Sequence, residues 1–310
     1  MKAIIFGITG QDGTLLADYL QKKGLDVVGT SRKTISCKLN NIKTHQIDIL
    51  NFSQISELIL EESPDVIYNL SGQTSVSKSF SEPFDTYQTI VNTTMYILES
   101  IRRINSEIKF FNASSTECFG FANNARLTEV SPFNPVSPYA TAKVNAHNLA
   151  NNYRLTYGLF VCTGILSNHE SNLRSTDFIS KKIIESAYNI AYGFQDYFEV
   201  GDITIVRDWG WADDFIEAIF LMMNQNKADD YIIATGKSIS LEEFINYAFK
   251  KFNLDYKKHI TINKIFYRKN EIQKIFLNPQ KVYNNLGWTA KHTVYDVIDK
   301  LVDFKQKEIC

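Results

Sequence analysis

Two residues four apart, Tyr139 and Lys143 in "SPYATAK", could move a proton together. On a helix that spacing puts both side chains on one face. A phenol ionises near pH ~10, too high for a base at neutral pH, but a neighbouring ammonium stabilises the phenolate and lowers that value. Such a pair can take a proton from a sugar hydroxyl while hydride leaves for a nicotinamide. The same spacing occurs by chance on solvated helices, so it needs partners. Upstream, "NASSTECFG" sets Ser115, Thr116 and Glu117 directly after the apolar "IKFF", where a buried strand would open into a loop. A carboxylate there is either a base aimed at substrate or a cap on that loop.

A third feature lies near the N-terminus. "GITGQDG" spaces Gly7, Gly10 and Gly13 between a strand-like run and a helix-like run. Such glycines let the backbone turn tightly and approach a pyrophosphate at the positive end of a helix. A tight turn without a ligand would use them too, but the position after a first strand favours a dinucleotide. The second strand ends "DVVGTSRK", with Ser31, Arg32 and Lys33 where an NAD site keeps an acidic residue for the ribose 2′-hydroxyl. Arg and Lys attract a 2′-phosphate, so NADP is expected over NAD.

The elements that must position these residues follow from the hydrophobic pattern. Apolar runs "KAIIFG", "DVVGTS", "THQIDI", "DVIYNL", "IKFFNAS" and "LFVCTGIL" alternate with helical stretches. Strands that are apolar throughout are buried on both faces, which points to a parallel, doubly wound α/β sheet. After residue 166 the rhythm changes to a polar loop, "SNHESNLRSTDF", and a mostly helical tail. The expected division is a dinucleotide-binding domain from 1–166 and 204–236, with a smaller, discontinuous lobe from 167–203 and 237–310.

Composition limits the function. Of 310 residues, 44% are hydrophobic and 22% charged, with a formal net charge of −1. That balance gives no general attraction to nucleic acid or to acidic membranes. The opening "MKAIIFG" is too short an apolar run for a signal peptide, and no segment reaches the ~20 apolar residues that span a bilayer. Cys37, Cys118, Cys162 and Cys310 form no CxxC pair, which argues against zinc or a disulfide framework and fits a reducing cytoplasm. His169 and Glu170 are adjacent and the nearest other histidine, His147, belongs to another element, so no metal is expected.

Taken together, "GITGQDGTLLADYL", "NLSGQTSVSKSF", "ASSTECFG", "SPYATAK", "GILSNHES", "FISKKI", "VRDWGWADDFIEA" and "IATG" resemble the extended short-chain dehydrogenase/reductase superfamily. Within it the chain is most similar to the GDP-mannose 4,6-dehydratase family, with a weaker echo in "YRKNEI". The resemblance implies a Rossmann-type fold and a tightly bound NADP regenerated in each turnover. Ser115, Tyr139 and Lys143 would form the triad that oxidises the sugar at C4. The resulting ketone acidifies C5–H, Glu117 would remove that proton, water would leave across C5–C6, and hydride would return to C6. Thr116 stands where some related dehydratases place an acidic Asp. An alcohol is a poor general acid, so Glu117 would also protonate the leaving group.

The same resemblance places Gly7, Thr9, Gly10, Gln11, Asp12, Gly13, Arg32, Asp48, Ile49, Leu70, Tyr139, Lys143 and His169 around the cofactor. It places Asn168, Arg207 and Arg268 at the nucleotide diphosphate, Lys182 at the base, Glu271 at the ribose and Glu170 in the pocket wall. The segment after Lys33 is shorter than the family's, where a longer loop reaches a neighbouring subunit, so either a homodimer or a homotetramer is expected. The region before "YRKNEI" is also trimmed. This keeps open another GDP-sugar, such as a GDP-heptose or GDP-N-acetylhexosamine, and an NADPH-dependent reductase of a GDP-4-keto-6-deoxyhexose.

Overall fold

The computed structural model describes residues 1–32, 42–121 and 126–308. Lys33 and the shortened segment after it, with Cys37 and Cys310, lie outside the described residues. Strands β1 (Lys2–Phe6), β2 (Asp26–Ser31), β3 (Lys43–Gln46), β4 (Val66–Asn69) and β5 (Lys109–Ser115) join Val161–Leu166 and Asp230–Ile233 in a seven-stranded sheet. Its order is β3, β2, β1, β4, β5, Val161–Leu166, Asp230–Ile233, and every neighbouring pair is parallel. Strands β2 and β4 flank β1, so the chain switches direction across the sheet there. A crevice opens at that point beyond the carboxyl ends of the strands, where such sheets bind ligands.

Helix α1 (Gln11–Lys22) shows why the glycine loop is placed where it is. Gly13, Leu16, Ala17 and Leu20 repeat at helical spacing and are buried against the sheet. Asp12 in its first turn and Lys22 in its last complement the helix dipole. The helix read around "TIVNTTMYILESIRRI" starts earlier, at Pro83, and passes through a π-helical turn, Gln88–Asn92, before the regular Thr93–Ile104. Thr86, Thr89 and Thr94 each donate to the carbonyl four residues back, which loosens the helical ladder at that point.

A second core sits beside the first, built from the helices Ile179–Ala191, Leu241–Lys250 and Val294–Lys307 around Trp209, Trp211, Phe244 and Phe249. The chain crosses between the two cores more than once: Val282 and Trp288, in the tail, pack with the core of the seven-stranded sheet. A three-stranded sheet, Ser238–Ser240, Val206–Trp211 and Asn168–Glu170, joins them. Among the described residues no helix is long and apolar enough to cross a membrane.

The junction is held by one carboxylate. Asp208 is 2% exposed and accepts hydrogen bonds from Ser167 Oγ (3.1 Å), Thr235 N (3.0 Å), Thr235 Oγ1 (2.9 Å) and Gly236 N (2.8 Å). This gives "RDWG" and "IATG" a structural reason to occur together, since one staples the other beside the strand carrying Asn168 and His169. Asp208→Ala leaves these donors without an acceptor, and buried unpaired donors cost ~1–3 kcal/mol each. The expected result is a thermal midpoint lower by several degrees, measured by calorimetry against wild type.

Candidate active site

Strand β5 ends in a sharp turn. Ser115 Oγ accepts the Glu117 N–H at 3.2 Å and opens a 3₁₀ turn, Thr116–Phe119. The turn closes on Gly120, whose φ of +57° and contact with the Asn134 carbonyl oxygen leave no room for a Cβ. Three successive residues therefore meet three environments. Ser115 interacts with the Tyr139 hydroxyl, Thr116 is buried, and Glu117 turns into a cavity.

That cavity holds about 520 Å³, within the range of small-molecule sites. Its wall brings together Ser115, Glu117, Tyr139, Lys143, Asp12, Leu70, His169, Asn168, Glu170, Lys182, Arg207, Arg268 and Glu271. Thr116 is not part of the lining. Asp48, exposed, and Ile49 sit in the turn after β3, and Arg32, also exposed, follows the end of β2.

The helix Pro138–Tyr157 presents Tyr139 and Lys143 as the spacing predicts. Ser137 caps it by accepting the Ala140 N–H at 3.1 Å, and Pro138 occupies its first turn. Lys143 Nζ donates to the Ala113 carbonyl at 2.7 Å, so the helix is tied to β5. Burial pulls Lys143 down to about 8, against Cys118 and Asp12, which raise it. The phenol behaves differently from the sequence expectation. Burial pushes Tyr139 up, and the Ser115 hydrogen bond only partly offsets this. Lys143 Nζ lies 5.7 Å from the ring centroid, and its charge does not overcome the desolvation.

The glycine loop fits a dinucleotide pyrophosphate. Gly7 has φ +85°, and a Cβ there would come within 2.8 Å of the Leu70 carbonyl oxygen. Gly10, at the N-cap of α1, supplies no side-chain cap, which leaves backbone N–H groups for an anion. Gln11 and Asp12 reach across to the other wall. Gln11 Nε2 donates to His169 O at 3.1 Å, Ser171 Oγ donates to Gln11 Oε1 at 2.9 Å, and Asp12 Oδ2 lies 2.9 Å from His169 Nε2.

On the far side, Arg207 Nη2 donates to Glu271 Oε1 at 2.9 Å, and Arg268 Nη1 approaches the same oxygen at 3.4 Å. The residues expected at diphosphate and ribose are thus paired with each other. Arg207 Nε is also 3.9 Å from Glu117 Oε1. Glu170, 2% exposed, accepts from Ser180 Oγ at 2.6 Å.

Sequence reasoning missed Arg174. Its guanidinium stacks 3.6 Å over the Phe178 ring, and Nε lies 3.2 Å from Glu170 Oε2 without the alignment for a hydrogen bond. The result is a buried donor without a hydrogen bond, on a cation that is ion-paired with Glu170 and lines the cavity. The available signal was an arginine four residues after Glu170, in a polar loop at the carboxyl edge of the sheet. Among the described residues, the cluster His45, Glu61 and Glu62 has metal-ligand spacing, but Lys43 (2.5 Å) and Lys2 (3.1 Å) already neutralise Glu62.

The chain is similar to known proteins over nearly its whole length. The family model described as GDP-mannose 4,6 dehydratase matches residues 4–301. GDP-mannose 4,6 dehydratase 1 of Arabidopsis thaliana is 35% identical over 97% of this chain and 88% of its own length. GDP-mannose 4,6-dehydratase of Yersinia enterocolitica is 32% identical over 97% and 92%. Among solved structures, dTDP-glucose 4,6-dehydratase of Bacillus anthracis in complex with NAD superposes with a TM-score of 0.85 at 22% identity, covering 99% of this chain and 97% of that one.

The depressed Lys143 value has a consequence for stability. The unfolded chain binds its lysine proton more tightly, so stability rises with pH between about 8 and the ordinary lysine value of ~10.4. In nucleotide-free protein, wild type should therefore gain stability relative to Lys143→Met across that window, read as the difference in urea midpoints. A constant difference would show that the ammonium is not desolvated.

Proposed function

Because the chain belongs to the GDP-mannose 4,6-dehydratase family, we propose that it acts on GDP-mannose, with NADP as its cofactor, to give GDP-4-keto-6-deoxymannose. It is a hydro-lyase of nucleotide sugars. The observation that carries the reading is that Ser115, Glu117, Tyr139 and Lys143 share one cavity at the carboxyl end of the sheet.

When bound, the nicotinamide supplies the acceptor for hydride from C4 and the donor of hydride to C6. The chain supplies the proton chemistry. Ser115 and Tyr139 take the proton of the sugar 4-hydroxyl. Burial makes the phenolate a strong base once formed, and Lys143 places positive charge beneath it. Glu117 removes the C5 proton that the 4-ketone has acidified, then returns a proton to the departing 6-hydroxyl. Thr116, buried outside the lining, shapes the turn that aims Glu117.

NADP is favoured by Arg32 at the end of β2, which can pair with a 2′-phosphate where an acidic residue would repel it. Arg174 adds a second cation to the wall shared by Asp12 and His169. Arg207, Arg268 and Lys182 offer the charge needed at the nucleotide end. A reductase would consume NADPH as it worked, whereas this chemistry leaves the cofactor unchanged.

The test uses a panel of GDP-sugars and other nucleotide sugars read by mass. GDP-mannose should lose one water with no net NADPH consumption. Glu117→Gln should still permit some C4 oxidation while losing ~10²-fold or more in elimination, as expected for a missing acid–base group. Normal deuterium uptake at C5 from heavy water in that variant would remove Glu117 from the role of base.

A further inference from the structure

Asp12 stands in an unfavourable place. It occupies the first turn of α1, at the helix end whose N–H groups would receive a pyrophosphate, and a carboxylate there opposes a second anion. Its partner is His169, which comes from the far wall of the cavity. His169 Nε2 lies 2.9 Å from Asp12 Oδ2, and Nδ1 lies 2.7 Å from the Ser167 carbonyl oxygen. A carbonyl can only accept, so Nδ1 carries a proton and Nε2 is free to carry another toward the carboxylate. The ring stacks on Phe215 at 4.7 Å between centroids, which fixes its plane.

We propose that His169 is a positioning residue that works by charge: as imidazolium it cancels Asp12 and so keeps the N-terminus of α1 receptive to the cofactor's diphosphate. This rests on the reading of the glycine loop as the dinucleotide site. The diphosphate would meet the helix backbone, and the effect of His169 on it runs through Asp12, 2.9 Å away. The charge states agree with this. Burial opposes ionisation of both groups, yet the attraction and hydrogen bond between them bring Asp12 down to about 2 and raise His169.

Other charged groups around the pair are few. Arg174 favours ionised Asp12 and disfavours protonated His169, and Asp12 in turn raises Lys143 on the neighbouring helix. On the helix that carries Phe215, Asp214 is engaged by His292 and turned to its own partners. His169 is raised by Asp12 against the cost of burial, so it keeps its proton to higher pH than a free imidazole and loses it as pH rises through its folded value. Above that point Asp12 loses the charge of its hydrogen-bonded partner and keeps only the weaker pull of Arg174, and the cofactor should leave faster.

The experiment follows NADPH leaving the purified holoenzyme, by the fall in bound-nicotinamide fluorescence after dilution into excess NADP. His169→Gln, which keeps a polar side chain but no charge, should release NADPH about tenfold faster, the size expected for one unscreened charge acting over several ångströms at protein dielectric. Asp12→Asn should release NADPH more slowly than His169→Gln, because it removes the opposing charge that His169 offsets. In the Asp12→Asn background, adding His169→Gln should change the rate little. Release from wild type should accelerate as pH rises through the His169 transition that NMR locates. Asp12→Asn should keep only the part that Lys143 contributes. The imidazole of His169, followed by NMR, should titrate lower in Asp12→Asn than in wild type.

Equal acceleration by His169→Gln with and without Asp12 would mean that the ring acts by packing alone, and would overturn the proposal. A single pH profile shared by wild type and Asp12→Asn would overturn it as well. If wild type binds neither NADPH nor NADH, the dinucleotide reading itself falls. Should Asp12→Asn fail to fold, the His169→Gln rate decides alone: it must be fast and keep only the pH dependence that Lys143 contributes.

Discussion

The site depends on the turn that ends β5. A hydroxyl at Ser115 accepts the Glu117 N–H, and Gly120 lets the backbone swing clear of the Asn134 carbonyl. Without that geometry the carboxylate would continue along the strand direction and miss the cavity. With it, Glu117 faces the same space as Tyr139. In the proposed reaction the two act in sequence, because the ketone made at one carbon creates the acidity at the next.

Around this turn the molecule provides rigidity at the points where two cores meet. Asp208 joins the loops holding Ser167 and Thr235, and thereby fixes the strand that carries Asn168 and His169. Lys143 ties the catalytic helix to β5 through the Ala113 carbonyl. Gln11 and Asp12 tie the glycine loop to the opposite wall. Nearly every one of these links involves a charge or a carbonyl held away from water, where a lost partner is costly. The cavity is therefore a shape maintained by polar contacts between apolar layers.

Much of this was legible in the sequence, for physical reasons. The doubly buried strands announce themselves as unbroken apolar runs, and the helix spacing of Tyr139 and Lys143 survives folding unchanged. The exception is "THQIDI", where the strand is Lys43–Gln46 at the sheet edge and none of its residues is buried. Other features depend on contacts between distant residues, which no local pattern encodes. The phenol is pushed up because the whole helix face is buried, so a pairwise reading of Tyr139 and Lys143 predicted the opposite direction. The pairing of Arg207 with Glu271 joins residues 64 apart in the chain. The π-helical turn at Gln88–Asn92 had a local cause in its threonines, but its hydrophobic pattern was that of an ordinary helix.

The measurement that bears most directly on the account follows a single labelled atom. With GDP-mannose carrying deuterium at C4, the label should reappear at C6 of the same product molecule while the cofactor pool stays unlabelled. Label washed into solvent, or retained on released cofactor, would contradict a hydride lent and returned within one closed cavity.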